Sequence, residues 1–263
     1  MRFTKMHGLG NDYLYVYGEA PADIAALSQR LSDRHFGAGS DGMIYISPSQ
    51  TADFRMRIFN ADGSEAMMCG NGIRCVGKYV YDKGYTDKTE LKIETLSGIK
   101  TLRLQVKEGK VELVSVEMGK AAAGEEKVLT VCGQTLTYTP VNVGNPHAVF
   151  FTDNAEAIPL ETLGPAIERH PDFPGGVNAE FAEVRGADEI RMRVWERGSG
   201  VTMACGTGSC ATVAAAIRRG LCPSGGDVKV VLDGGTLLIR ADTDYNITMT
   251  GPAAAVYEGE TDL

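Results

Sequence analysis

Displaced by 136 positions (205 less 69), the chain matches itself. "MMCGNGIRC" (67–75) falls on "MACGTGSC" (203–210), which sets Cys69 on Cys205. "MRIFN" (56–60) falls on "MRVWE" (192–196), and Gly84 falls on Gly220. At a displacement of 134, "NDYLYVYGE" from Asn11 resembles "NPHAVFFTD" from Asn145. Solenoid repeats are far shorter than this. The pattern describes two homologous halves, and 263 residues suffice for each to bury a core of its own.

Both halves parse alike. "FTKM" and "YLYVY" read as strands, followed by an amphipathic helix with Pro21 near its start and Ile24, Leu27, Ser28 and Leu31 on one face. "GMIYIS" and "FRMRIF" read as the next strands. The second half answers with "HAVFF", a weaker helix after Pro159 that Gly164-Pro165 is expected to interrupt, then "EFAEV" and "IRMRVW". After each Cys-Gly-x-Gly comes a helical stretch: Ile73, Val76 and Val80 share a face in the first, and "SCATVAAAIRRG" is apolar almost all round. Such helices belong in the middle of a domain. Strand-rich tails close both halves, and the small, charged "KAAAGEEK" (Lys120 to Lys127) reads as a linker. The expected fold is α+β: two pseudo-symmetric domains from an internal duplication, each a sheet wrapped around a central helix, with the active site in the cleft between them. The expected halves are 1–118 and 119–251.

A net charge of −8 argues against a nucleic-acid or anionic-membrane binder, whose affinity rests on clustered Lys and Arg. No run approaches the ~18 apolar residues of a membrane span, and the first residues lack the apolar core of a signal peptide, so the expected location is cytoplasmic. Six cysteines in such a protein read as free thiols. The spacings Cys69–Cys75 and Cys205–Cys210 miss those of zinc knuckles, so no metal is expected.

Each duplicated cysteine immediately precedes a glycine-rich helix start. Unpaired N–H groups and the helix dipole there favour a thiolate, the reactive form of the thiol. Gly70, Gly72, Gly206 and Gly208 let backbone approach a ligand, and the same N–H groups can hold a carboxylate. Two thiols on opposite faces of one carbon can invert it: one removes a proton, the other delivers one, and N–H groups steady the carbanion. That is racemase or epimerase chemistry without a cofactor. Cys75, Cys132, Cys210 and Cys222 read as structural thiols.

"MHGLGNDY", "FNADGSEAMMCGNGIRC", "VGNPHAVFF", "VWERGSG" and "ACGTGSCA" together resemble the signature segments of the diaminopimelate epimerase family, over nearly the whole chain and in order. The resemblance implies a cofactor-independent isomerase interconverting LL- and meso-2,6-diaminopimelate in bacterial lysine and peptidoglycan precursor biosynthesis. It implies that residues 252–263 return to the first domain. It also assigns Cys69 as proton donor and Cys205 as acceptor in the LL-to-meso direction. Asn11, Asn60, Asn145 and Asn178 match substrate-binding asparagines, and Gly70-Asn71 and Gly206-Thr207 match the donors to the reacting carboxylate. Glu196 and Arg197 match groups at the far end of the substrate, while His147 and Glu196 match groups that tune the thiols. The resemblance further suggests a homodimer, with Tyr257 at its interface. Gly42 stands where the family often carries Gln. The residues alone leave three alternatives: a related two-thiol amino acid racemase, a thiol redox enzyme, and a zinc module.

Overall fold

The structure is a computed structural model, described here for residues 1–262. The chain divides into two compact units: Met1–Val116 together with the segment from Gly251, and Glu117–Thr250.

The first unit runs β1 (Arg2–Gly8), β2 (Asn11–Tyr17), α1 (Ile24–Ser32), β3 (Gly42–Pro48), β4 (Phe54–Asn60), β5 (Glu65–Ala66), α2 (Gly70–Asp82), β6 (Glu90–Thr95), β7 (Gly98–Lys107) and β8 (Lys110–Lys120). The chain continues through β9 (Ala122–Ala123), β10 (Lys127–Val131), β11 (Gln134–Asn142), β12 (Pro146–Phe151), a 3₁₀ turn (Ala155–Ala157), α3 (Leu160–Glu168), β13 (Asn178–Gly186) and β14 (Glu189–Glu196). It ends with β15 (Gly200–Val201), α4 (Gly206–Arg218), β16 (Asp227–Leu232), β17 (Gly235–Ala241), β18 (Asn246–Pro252) and β19 (Ala254–Glu260).

Strand pairing reproduces the duplication. In the first unit β2 lies parallel to β3 and β4 parallel to β6, with antiparallel pairing of β3 to β4 and β6 to β7. The second unit repeats this as β12 with β13, β14 with β16, β13 with β14 and β16 with β17. A parallel pair needs a crossover. Here α1 and α3 supply the first crossover of each unit, and α2 and α4 the second. β19 returns to pair antiparallel with β1, Phe3 opposite Gly259.

Strand periodicity explains how one sheet serves two helices. Leu14 and Val16 join Ile24, Leu27 and Leu31 in a core beneath α1. Tyr15, on the other face of β2, donates to the carbonyl of Gly72 in α2 (3.2 Å). The second unit repeats the division, with Ala148, Phe150, Ala179 and Phe181 packed with Leu160, Leu163 and Ile167 of α3. Both α2 and α4 are buried on nearly every side, as expected of central helices. Among the described residues no helix is long and apolar enough to cross a membrane.

Three local expectations change. Gly164-Pro165 does not interrupt the helix; α3 runs through both. Proline removes the bond to the carbonyl of exposed Glu161, near the solvent-facing start, and Gly164 has no Cβ for the proline ring to strike. The segment 120–127 is not all loop: β8 reaches Lys120, and Ala122 and Ala123 pair with β11. Cys132 is no core thiol. It is exposed in the two-residue turn between β10 and β11, with φ of 49° beside Gly133 at 72°.

Gly164 is also where α3 meets Trp195, since a Cβ there would stand 2.4 Å from the indole. Trp195 Nε1 in turn donates to Glu168 at 2.7 Å, clamping both ends of the contact. Gly164→Ala is therefore expected to destabilise the protein by about 1–3 kcal/mol through overpacking. Trp195 is the sole tryptophan, so its emission in a denaturant titration reads the change directly. An unchanged midpoint would refute the contact.

Candidate active site

Cys69 and Cys205 occupy the same place in their units. Each is the N-cap of its central helix in extended backbone: φ −134°, ψ 114° for Cys69 and φ −116°, ψ 112° for Cys205. Each sulfur accepts the N–H three residues on, from Gly72 and Gly208, both at 3.3 Å. An N-cap normally offers oxygen to these unpaired donors; here the acceptor is sulfur. Close approach makes this possible. A Cβ on Gly72 would stand 2.7 Å from Ile44 Cδ1, and one on Gly208 2.8 Å from Glu180 Oε1.

The surroundings of the two thiols differ. Cys69 donates to Asn11 Oδ1 (3.2 Å), whose amide donates to Asp41 (2.8 Å). Arg34 holds Asp41 at 2.9 Å. Tyr13 lies beside Cys69, and burial, reinforced by the thiol, pushes its phenol well above the ordinary tyrosine value. Gly70 and Asn71 form the first turn of α2, where buried Asn71 accepts from Arg74 (3.0 Å). Arg74 itself is fully buried and also donates to the carbonyls of Gly70 and Pro252. Asn60, at the end of β4, is bound to Ser64 (3.0 Å).

Around Cys205 the groups are ionisable. Gly206 and Thr207 begin α4, and Thr207 Oγ1 lies 3.6 Å from Cys205 Sγ. Asn145 Nδ2 reaches Thr207 Oγ1 at 3.4 Å, and Asn145 Oδ1 lies 3.0 Å from His147 Nε2. His147 Nδ1 lies 2.7 Å from Glu180 Oε1, with both side chains fully buried. Glu196 accepts from Thr202 and bears electrostatically on the Cys205 thiol. Asn178 is held on both sides: it accepts the N–H of Arg197 (2.8 Å) and donates to the Pro146 carbonyl (3.3 Å). The Arg197 guanidinium donates to the carbonyl of Gly175 (2.9 Å) and lines a depression of about 490 Å³ with Gly175 and Gly176. Tyr257, on β19, donates to the carbonyl of Ala38 (3.3 Å) and packs edge-on to Phe3.

The helix start does not lower the Cys205 thiol as the sequence suggested. Burial, followed by the charges of Glu196 and Glu180, pushes it well above the usual thiol value. The Thr207 hydroxyl and the Gly208 N–H pull the other way and lose. The helix effect is worth only about 0.3–1 kcal/mol at exposed positions, less than the desolvation of a buried thiolate. Glu196 is itself raised, chiefly by burial and in part by Glu180. Burial, against the pull of Tyr15 and Arg74, lifts the buried thiol Cys75 to about 11.

Sequence reasoning missed Glu180 and Tyr13. A signal for Glu180 existed: Ala179 and Phe181 face α3, so Glu180 and His147 must share the opposite face, toward α4. A glutamate inside a strand covered on both sides is rare unless it is paired.

Replacing Glu196 by Gln removes a negative charge beside the sulfur. The Cys205 thiol should then ionise at lower pH, shifting the midpoint of its alkylation-rate profile downward, as resolved by peptide mass. An upward or absent shift would show that Glu196 does not govern this thiol.

The diaminopimelate epimerase family model matches residues 3–123 and 139–256. The diaminopimelate epimerase of Acetivibrio thermocellus is 49% identical over 279 aligned residues, spanning 100% of this chain and 99% of that one. The enzyme of the same name from Agathobacter rectalis is 50% identical, spanning 100% of both. Among solved structures, a hydroxyproline epimerase from Agrobacterium vitis superposes with TM-score 0.75 at 18% identity, covering 98% of this chain and 91% of that one. A PhzF-family phenazine biosynthesis protein from Bacillus anthracis superposes with TM-score 0.77 at 17% identity, covering 100% and 99%; these two share the fold. By motif, by full-length identity and by fold, the chain belongs to the diaminopimelate epimerase family and is an isomerase of the epimerase class.

Proposed function

We propose that this protein interconverts LL- and meso-2,6-diaminopimelate by a one-carbon proton inversion, with Cys69 and Cys205 as its two acid-base groups. The observation that carries this reading is the equivalence of the two thiols, each capping a buried helix through a glycine N–H. In the LL-to-meso direction Cys205 takes the α-proton and Cys69 delivers one to the opposite face; in reverse the roles exchange. Removing a weakly acidic α-proton calls for a strong base, and the environment that raises the Cys205 thiol makes its thiolate a stronger one. Glu196, whose charge is one of the causes that raise that thiol, suits the tuning of its basicity.

The N–H groups at Gly70-Asn71 and Gly206-Thr207, at the starts of their helices, suit the α-carboxylate, which is also where charge develops in the carbanion. Asn11 and Asn145, fixed by Asp41 and by the His147–Thr207 pair, suit the α-amino group; Asn60 and Asn178 complete the set. Arg197, lining its depression, suits the distal carboxylate as a two-bond fork. The same reading includes a cytoplasmic homodimer built on the face of β19 that carries Tyr257, which sedimentation can test. It requires no cofactor.

In deuterated water, turnover of LL-diaminopimelate should give meso product carrying α-deuterium. Cys69→Ala and Cys205→Ala should each abolish inversion, whereas Cys75→Ala should act on stability. Near-wild-type epimerisation by either of the first two variants would end the two-base mechanism.

Arg197→Met probes the distal end. A charge-assisted hydrogen bond is worth about 1.5–3 kcal/mol, so kcat/KM should fall roughly ten- to several-hundredfold. Alkylation of both thiols should keep its wild-type rate. Unchanged kcat/KM would remove Arg197 from the site.

A further inference from the structure

The two thiol environments are built on the same frame and furnished differently. At the displacement of 136, Glu180 corresponds to Ile44. Each points at the second glycine of its motif: Ile44 Cδ1 would lie 2.7 Å from a Cβ on Gly72, and Glu180 Oε1 would lie 2.8 Å from one on Gly208. At the displacement of 134, His147 corresponds to Tyr13. An apolar side chain therefore fits this place in one half, while the other half buries a carboxyl group there completely. Its Oε1 meets His147, and its Oε2 has no hydrogen-bond partner. A buried group left half unsatisfied is costly, so packing does not account for glutamate at this position.

The hydrogen-bond chain supplies a reason. From Glu180 it runs through His147 and Asn145 to the Thr207 hydroxyl beside Cys205. An ionised carboxylate only accepts, so the ring nitrogen facing it must carry hydrogen. The far end of the chain then depends on Nε2. With Nε2 bare, the Asn145 amide must present N–H to the ring and its carbonyl to Thr207. The hydroxyl then donates to that carbonyl and not to sulfur. With Nε2 protonated, the ring donates to Asn145 Oδ1 and the amide N–H donates to Thr207 Oγ1. The hydroxyl hydrogen is then free for the sulfur, where it favours thiolate.

We propose that Glu180 is a positioning residue for the Cys205 half of the reaction: it pins hydrogen on His147 Nδ1, so that Nε2 takes up the proton as Cys205 becomes a thiolate. The inference rests on the two-thiol reading above. The balance is one S–H bond broken at Cys205 and one N–H bond formed at Nε2, with thiol and neutral imidazole becoming thiolate and imidazolium. The ionisable groups facing the histidine from the elements packed on it are Glu180 of β13, Glu196 of β14 and Cys205 at the start of α4.

The test uses the full chain labelled with ¹⁵N-histidine, with the His147 resonances identified by their loss in His147→Asn. In the wild type, Nδ1 should carry hydrogen at both ends of the pH titration, and only Nε2 should change. Glu180→Leu should move the proton to Nε2 and lower kcat about ten- to a hundredfold, as loss of an orienting partner does. KM should stay within about threefold, because the substrate-contacting groups remain. Glu180→Gln, nearly isosteric and able to accept or donate, should give both tautomers and an intermediate kcat; it serves if the leucine variant does not fold. A wild-type ring with Nδ1 bare, or a folded Glu180 variant with unchanged kcat, would overturn the proposal. Wild-type protein that leaves diaminopimelate unchanged would instead overturn the functional reading, and the histidine spectrum would still decide the role of Glu180.

Discussion

Two backbone N–H groups, those of Gly72 and Gly208, end on sulfur, and much of the architecture follows from placing them there. Each belongs to the first turn of a helix that is buried on almost every side. Burying a helix so fully requires a sheet on both flanks of its crossover, which the parallel pairs β4–β6 and β14–β16 provide. The start of such a helix has donors that no backbone partner can satisfy. Sulfur at the cap meets one of them.

Duplication supplies the symmetry of the frame, and substitution within it supplies the chemistry. Beside Cys69 stand an amide and a phenol held in its protonated form, with the methyl end of Ile44 against Gly72. Around Cys205 stand two glutamates and a histidine, Glu180 and His147 among them buried. A pair of acid-base groups must at any moment hold opposite protonation states. On the two-thiol reading proposed above, unequal surroundings are a means of deciding which thiol gives up its proton.

The sequence was most legible where two signals coincided. Repetition plus helix-start chemistry located both thiols, and alternation located the strands. It was least legible where the outcome turned on competition between terms. The helix dipole at Cys205 is readable from "CGTG", but the burial that outweighs it depends on packing distant in sequence. Pro165 reads as a breaker because proline removes a donor; that the orphaned carbonyl falls near an exposed end, and that Gly164 makes room for Trp195, are tertiary facts. Glu180 is hard to single out in the sequence because its neighbours along β13 are ordinary. Only the pairing of β12 with β13 sets it beside His147.

The return of β19 to β1 has a consequence for synthesis. β1 pairs at once with β2, but its other edge waits for a strand from beyond the second unit and is covered only after residues 254–260 have been made. Throughout elongation the first unit carries an open sheet edge, a template for unwanted pairing with other nascent chains. The second unit is encoded wholly between these strands and can complete its own sheet earlier. Closure of the first unit thus follows synthesis of the second, and until then that edge is open to aggregation.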